Sequence, residues 1–149
     1  CSRFTRPPGD KLFSCGSGIG GGCVDAYGVF QPCLPLRQAD CAYNLKNGSL
    51  KDALENFFPQ VRRKKATNPA YRNRCAKCFL KGLCGQCPAK SWMEHGSLDT
   101  PVEYLCEVAH TQARFLGLLR ENEMAWEVES WRERISEFIE KEKYEVKHA

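Results

Sequence analysis

Cys75-Ala76-Lys77-Cys78-Phe79-Leu80-Lys81-Gly82-Leu83-Cys84-Gly85-Gln86-Cys87-Pro88 places four thiols within thirteen residues, as two CxxC turns five residues apart. A CxxC turn aims both of its sulfurs at one site, and two such turns in series are a strong metal-binding signal. Gly82 and Gly85 suit a segment made mostly of turns. Four reduced cysteines without a ligand would have no use for that arrangement, and a disulfide framework belongs with a secretory leader. The Cys87-Pro88 ending also matches bacterial ferredoxin runs, in which the last cysteine serves a different cluster from the first three.

Spacing alone does not separate zinc from iron, because both need thiolates around a compact cationic centre. The number of cysteines does more. The chain has ten in 149 residues, and Cys1, Cys15, Cys23, Cys33, Cys41 and Cys106 lie outside the dense segment. One zinc uses four ligands, whereas two four-ligand iron–sulfur sites absorb eight thiols. His110 follows Cys106 by four residues on one helix face, which is an acceptable zinc half-site. The plainer reading is a histidine packed beside the site. His95 and His148 have no supporting neighbours.

The rest of the chain is consistent with a thin core held by metal. Hydrophobic residues make up 42%, but many are cysteines, and the N-terminal third is rich in glycine and proline. Small cores barely offset the entropy of folding and lean on staples. The N-terminus carries no apolar run resembling a secretory leader, so the expected compartment is the reducing cytoplasm; the missing start Met leaves room for a fragment or processed product. No apolar stretch reaches membrane-spanning length. The net charge of +4 and the run Arg62-Arg63-Lys64-Lys65 read as a solvated helix end, so nucleic acid is not an expected partner.

The expected fold class is α+β: a small, cysteine-rich, loop-rich metal-binding domain over 1–110 with a short β-hairpin, then two helices, the extension filling 111–149. Residues 1–22 read as irregular, their glycines letting backbone approach a bulky ligand. A hairpin is expected around Asp25-Ala26-Tyr27-Gly28, with Gly28 supplying a positive φ, and ending at Cys33. Ser49 reads as the N-cap of a helix that Pro59 ends or kinks. Thr100-Pro101-Val102-Glu103 reads as a capping box opening a helix from Pro101 to Glu121. Met124, Val128, Trp131, Ile135 and Phe138 alternate at steps of four and three, the stripe of a second amphipathic helix from near Met124. Phe79, Trp92, Tyr104 and Phe115 are expected to shield the metal site and fill the core.

The order of these residues resembles the SPASM domain, the auxiliary-cluster region at the C-terminal end of many radical SAM enzymes that modify peptides and proteins. Cys15, twelve residues, Gly28, four residues and Cys33 match its first part; Cys75, Cys78 and Cys84 match its middle motif, and Cys106 its last position. The likeness spans about residues 15–110. Two residues separate Cys84 from Cys87 where the family has three. The resemblance implies two [4Fe–4S] clusters. One would be held by Cys75, Cys78, Cys84 and Cys106, the other by Cys15, Cys33 and Cys87 with Cys23 as the candidate fourth ligand, ahead of Cys1 and Cys41; a three-cysteine site with an open iron is the alternative.

The family's catalytic half binds S-adenosylmethionine at a Cx3Cx2C-ligated cluster. No Cx3Cx2C occurs here, and 149 residues do not hold a barrel of about 200 residues or more. The chain is therefore expected to be non-catalytic alone, without an S-adenosylmethionine site. Its expected work is to position a peptide or protein substrate and relay electrons for a radical SAM catalytic domain, upstream in cis or supplied in trans. A zinc-binding interaction module and a free-standing ferredoxin-like electron carrier are the alternatives.

Overall fold

The computed structural model describes residues 8–148, and the fold is mixed α+β: a three-stranded antiparallel sheet and five helices among the described residues. Cys1 lies outside them. The strands are β1 (Cys23–Val24), β2 (Val29–Gln31) and β3 (Tyr43–Asn44), in the order β1-β2-β3. β1 and β2 form the expected hairpin, with Val24 opposite Phe30. Its turn is held by the Asp25 carboxylate, which accepts from the N–H groups of Tyr27 and Val29 at 2.9 Å each. Gly28, at φ 82°, takes the left-handed conformation that this turn requires. The third strand was not expected. It pairs Tyr43 with Phe30 and makes the hairpin a small meander.

The glycine-rich segment is irregular, but its close approach is to protein. A Cβ on Gly22 would meet the Gln31 carbonyl oxygen at 2.1 Å, so glycine there lets β1 and β2 converge.

Ser49 caps α1 (Leu50–Asp52), its hydroxyl accepting from the Asp52 N–H at 3.1 Å. Pro59 does not end the helical run. It has no N–H, and its ring would crowd the carbonyl four residues back. The chain widens into a π turn over Ala53–Phe57 and continues as α2 (Phe58–Arg62). The basic run that follows fastens the N-terminal segment: Arg62 donates to the Ser17 carbonyl, and Lys65 pairs with Asp10 at 3.2 Å.

α3 (Pro88–His95) follows directly on the cysteine turns of Cys75–Cys87 and was not expected from the sequence. Proline at its start and left-handed Gly96 (φ 67°) after its end are the helix signals that the cysteines obscured. α4 (Glu103–Phe115) is shorter than expected at both ends. The capping box does not form, because the Thr100 N–H donates to Ser91 Oγ (2.9 Å) and the Glu103 carboxylate goes to Arg74. At the other end Gly117 (φ 73°) closes a Schellman motif, with the Leu118 N–H on the Ala113 carbonyl and the Gly117 N–H on that of Arg114.

The last helix, α5 (Trp131–His148), starts seven residues later than the Met124 stripe suggests. Tertiary bonds hold the intervening residues as turns. The Ala125 N–H donates to His110 Nε2, and Glu123 accepts from the Arg120 N–H and from both terminal nitrogens of Arg134. That fork holds the Glu123 carboxyl down at about 2, well below the usual range. A carboxyl depressed on folding contributes stability above its unfolded pKa, near 4.5, and loses it as pH falls toward 2. Amide exchange in α5 should therefore accelerate as pH drops through this window, relative to intrinsic rates. In Glu123→Gln that added acid sensitivity should be absent, and an unchanged profile would remove Glu123 from the docking of α5.

Two cores hold the molecule. Leu12, Phe13, Phe30, Leu36, Cys41, Phe58, Val61 and Tyr71 form the first, beneath the sheet and α2. Phe79, Leu80, Ala109, Ala113, Leu118 and Ile135 belong to the second, which joins the cysteine segment to α4 and α5 across residue 110. Phe79 stacks on Trp131 at 6.2 Å and Trp92 packs on the first core, as expected of core-filling aromatics. Tyr104 and Phe115 do not; they are 50% and 91% exposed. No described helix is long and apolar enough to cross a membrane.

Candidate metal centre

The CxxC segment is built so that its thiols turn inward. A π turn over Tyr71–Cys75 delivers Cys75, and the Cys78 N–H bonds back to the Arg74 carbonyl at 3.0 Å. Cys78 then opens a 3-10 turn over Phe79–Gly82, whose buried Phe79 and Leu80 anchor the loop in the second core. The Cys84 N–H returns to the Leu80 carbonyl at 2.8 Å. Cys106 comes from the first turns of α4. These four thiols line one cavity together with Arg74, Lys81 and His110.

Their ionisation reports the same gathering. Burial pushes Cys75 up to about 11, and the neighbouring thiols Cys84 and Cys106 push it further in the same direction. Cys78 rises to about 12, through burial and the charges of Cys84, Cys106 and Cys75. Cys84 is raised by burial and by Cys106. Raised in this way the thiols stay neutral on their own, and only a cation among them would hold them as thiolates. Among the described residues, however, no three His, Cys, Asp or Glu side chains converge so as to hold a metal ion. The thiols surround a space rather than meet at a point.

Cys15, Cys33 and Cys87 form a second neighbourhood. Burial raises the Cys33 thiol, and charge on Cys15 and Cys87 raises it further, while the Ser17 hydroxyl acts on both Cys33 and Cys15 in the opposite sense. Cys15 Sγ donates to Ser17 Oγ at 3.1 Å. Cys87, the N-cap of α3, thus sits near the N-terminal thiols and at a helix end that favours negative charge. Cys23 lies in β1 opposite Gln31. Cys41 is fully buried, its thiol pushed up to about 11 by burial and, to a smaller degree, by Cys33.

His110 is buried and has both ring nitrogens engaged. Nε2 accepts from the Ala125 N–H at 3.1 Å, so Nδ1 carries the proton and donates to the Cys106 carbonyl at 2.8 Å, with Cys106 Sγ 3.5 Å away. No ring lone pair is left for zinc. Burial lowers its pKa and keeps the ring neutral.

Three cationic residues line the cavity, Lys11, Lys81 and Arg74. Lys81, its pKa lowered by burial, donates to the Gly9 carbonyl and lies 5.6 Å from the Tyr71 ring. Arg74 forms a two-pronged bond with Glu103, 2.8 Å on each side, and its Nε is a buried donor with no partner. Sequence reasoning missed Arg74; its place one residue before a CxxC cysteine was the available signal.

Comparison with protein-family models, curated proteins and solved structures finds no match to this chain.

Proposed function

We propose that this chain is an auxiliary iron–sulfur domain that works with a radical SAM catalytic domain on a peptide or protein substrate. The observation that carries the proposal is the gathering of Cys75, Cys78, Cys84 and Cys106 around one cavity, from three turns and a separate helix. The donor set fits a cluster: four soft sulfur donors, a partnerless buried N–H and three cationic residues beside them. Cys15, Cys33 and Cys87 provide the core of a second site, as the resemblance to SPASM domains implies. When bound, such clusters supply one-electron storage at low potential. The protein's part is to hold the thiolates, exclude water with Trp126, and tie the N-terminal loop to the central segment through Cys87.

Iron and acid-labile sulfide analysis tests this directly. Anaerobic reconstitution should give about eight irons and eight sulfides per chain, from two four-iron clusters. One tightly held zinc with no labile sulfide would instead establish a zinc-binding module. The clusters alone would also suit a free-standing carrier, and a Cx3Cx2C segment encoded upstream in the same reading frame, or in a partner that co-purifies, separates the maturase from it.

A further inference from the structure

Arg74 is fixed on three sides. Glu103 grips both terminal nitrogens, the guanidinium carbon lies 4.8 Å from the centre of the Trp126 ring, and Nη2 approaches Cys106 Sγ at 3.7 Å. Its Nε, buried and without a partner, belongs to a residue lining the four-thiol cavity. A buried donor of this kind calls for an acceptor. In this cavity the acceptors a cluster would bring are sulfur atoms carrying negative charge.

Resting on the auxiliary-cluster reading, we infer that Arg74 is a positioning residue that sets the reduction potential of the cluster held by Cys106, with Glu103 as its counterweight. Uptake of one electron from an external donor adds one negative charge to the cluster and makes or breaks no bond. A fixed cation and its N–H groups beside the ligating sulfur favour that more negative state, since cluster potentials follow net charge and hydrogen bonds to sulfur. The Glu103 carboxylate offsets part of the charge while holding the fork in place. Had Arg74 served only to fasten the Tyr71–Cys75 turn to α4, removing either partner of the ion pair would have the same consequence. A role in tuning predicts opposite signs.

The test is a mediated redox titration followed by electron paramagnetic resonance, on reconstituted full-length chain, reading the cluster that disappears in Cys106→Ala. Arg74→Gln should shift its one-electron equilibrium at least tenfold toward the oxidised form, a fall of 59 mV or more. Glu103→Gln, which frees the guanidinium charge, should move it upward. Should Arg74→Gln fail to retain iron, the direction in Glu103→Gln decides alone. Full iron content with a potential unmoved in Glu103→Gln, or moved the same way in both variants, overturns the inference while leaving the auxiliary-cluster reading intact. Unaltered protein without iron and labile sulfide overturns that reading, and this inference with it.

Discussion

Cys15→Ala and Cys87→Ala are expected to deplete one iron–sulfur cluster, and Cys78→Ala and Cys106→Ala the other, so that each variant loses about half of the iron. The pairing is the one the resemblance to SPASM domains implies, although Cys87 is only three residues from Cys84 and twelve from Cys75. The turns of the chain are consistent with it. Cys84 is drawn back by its N–H bond to Leu80, whereas Cys87 caps α3 and is near enough to oppose ionisation of Cys33. A cluster missing one thiolate is open to solvent and oxidant at that iron, so loss of either partner labilises the shared site. Spectra that resolve the two clusters in each variant, with iron counts, read the result. Depletion of the same cluster by Cys87→Ala and Cys78→Ala, with the Cys15 cluster intact, would make the central segment a self-contained four-cysteine knuckle.

The features legible in the sequence are those set by short-range chemistry. Gly28 is legible because the turn needs a positive φ, and Ser49 because a hydroxyl there meets an orphan helix N–H. The elements misjudged are those where a distant residue claims a local group. Thr100 and Glu103 have the composition of a capping box, but Ser91 takes the Thr100 N–H and Arg74 takes the carboxylate. Met124 and Val128 fit a helical stripe, yet His110 captures the Ala125 N–H and Arg134 captures Glu123, so the helix begins only at Trp131. Gly117 was the exception, a local stop signal within the expected helix that went unread.

The site divides in the same way. That Cys75, Cys78 and Cys84 face one space is written in their spacing, while the arrival of Cys106 depends on the packing of α4 against Phe79 and Leu80. Arg74 is marked in the sequence only by its place beside Cys75, and nothing there links it to Glu103 or Trp126. Such pairings depend on the second core, which joins Phe79 and Leu80 of the cysteine segment to residues well beyond it, from Ala109 to Ile135.

Phe58→Ala should cost about 3–5 kcal/mol, the range for a buried aromatic truncated in a core. Phe58 is fully buried and packs against Phe30 and Phe57, with ring centroids at 4.9 and 5.6 Å. Its place in the chain magnifies the loss. It follows the π turn that admits Pro59 and, with Val61, seats α2 in the first core. Total stability for a domain of this size is about 5–15 kcal/mol, so this single change removes a large fraction of it. Cys33, Cys75 and Cys87 all pack on the same core, and loosening it spreads the second thiol set in particular. Anaerobic urea unfolding should therefore show a strongly lowered midpoint in Phe58→Ala, with iron retention reduced first at the cluster shared by Cys15 and Cys87. Phe115→Ala is the matched control. That ring is 91% exposed, and its removal should stay within about 0.5 kcal/mol of the unaltered protein. Equal midpoints for the two variants would mean that the metal sites, and not the Phe30–Phe58 core, carry the stability of the N-terminal half.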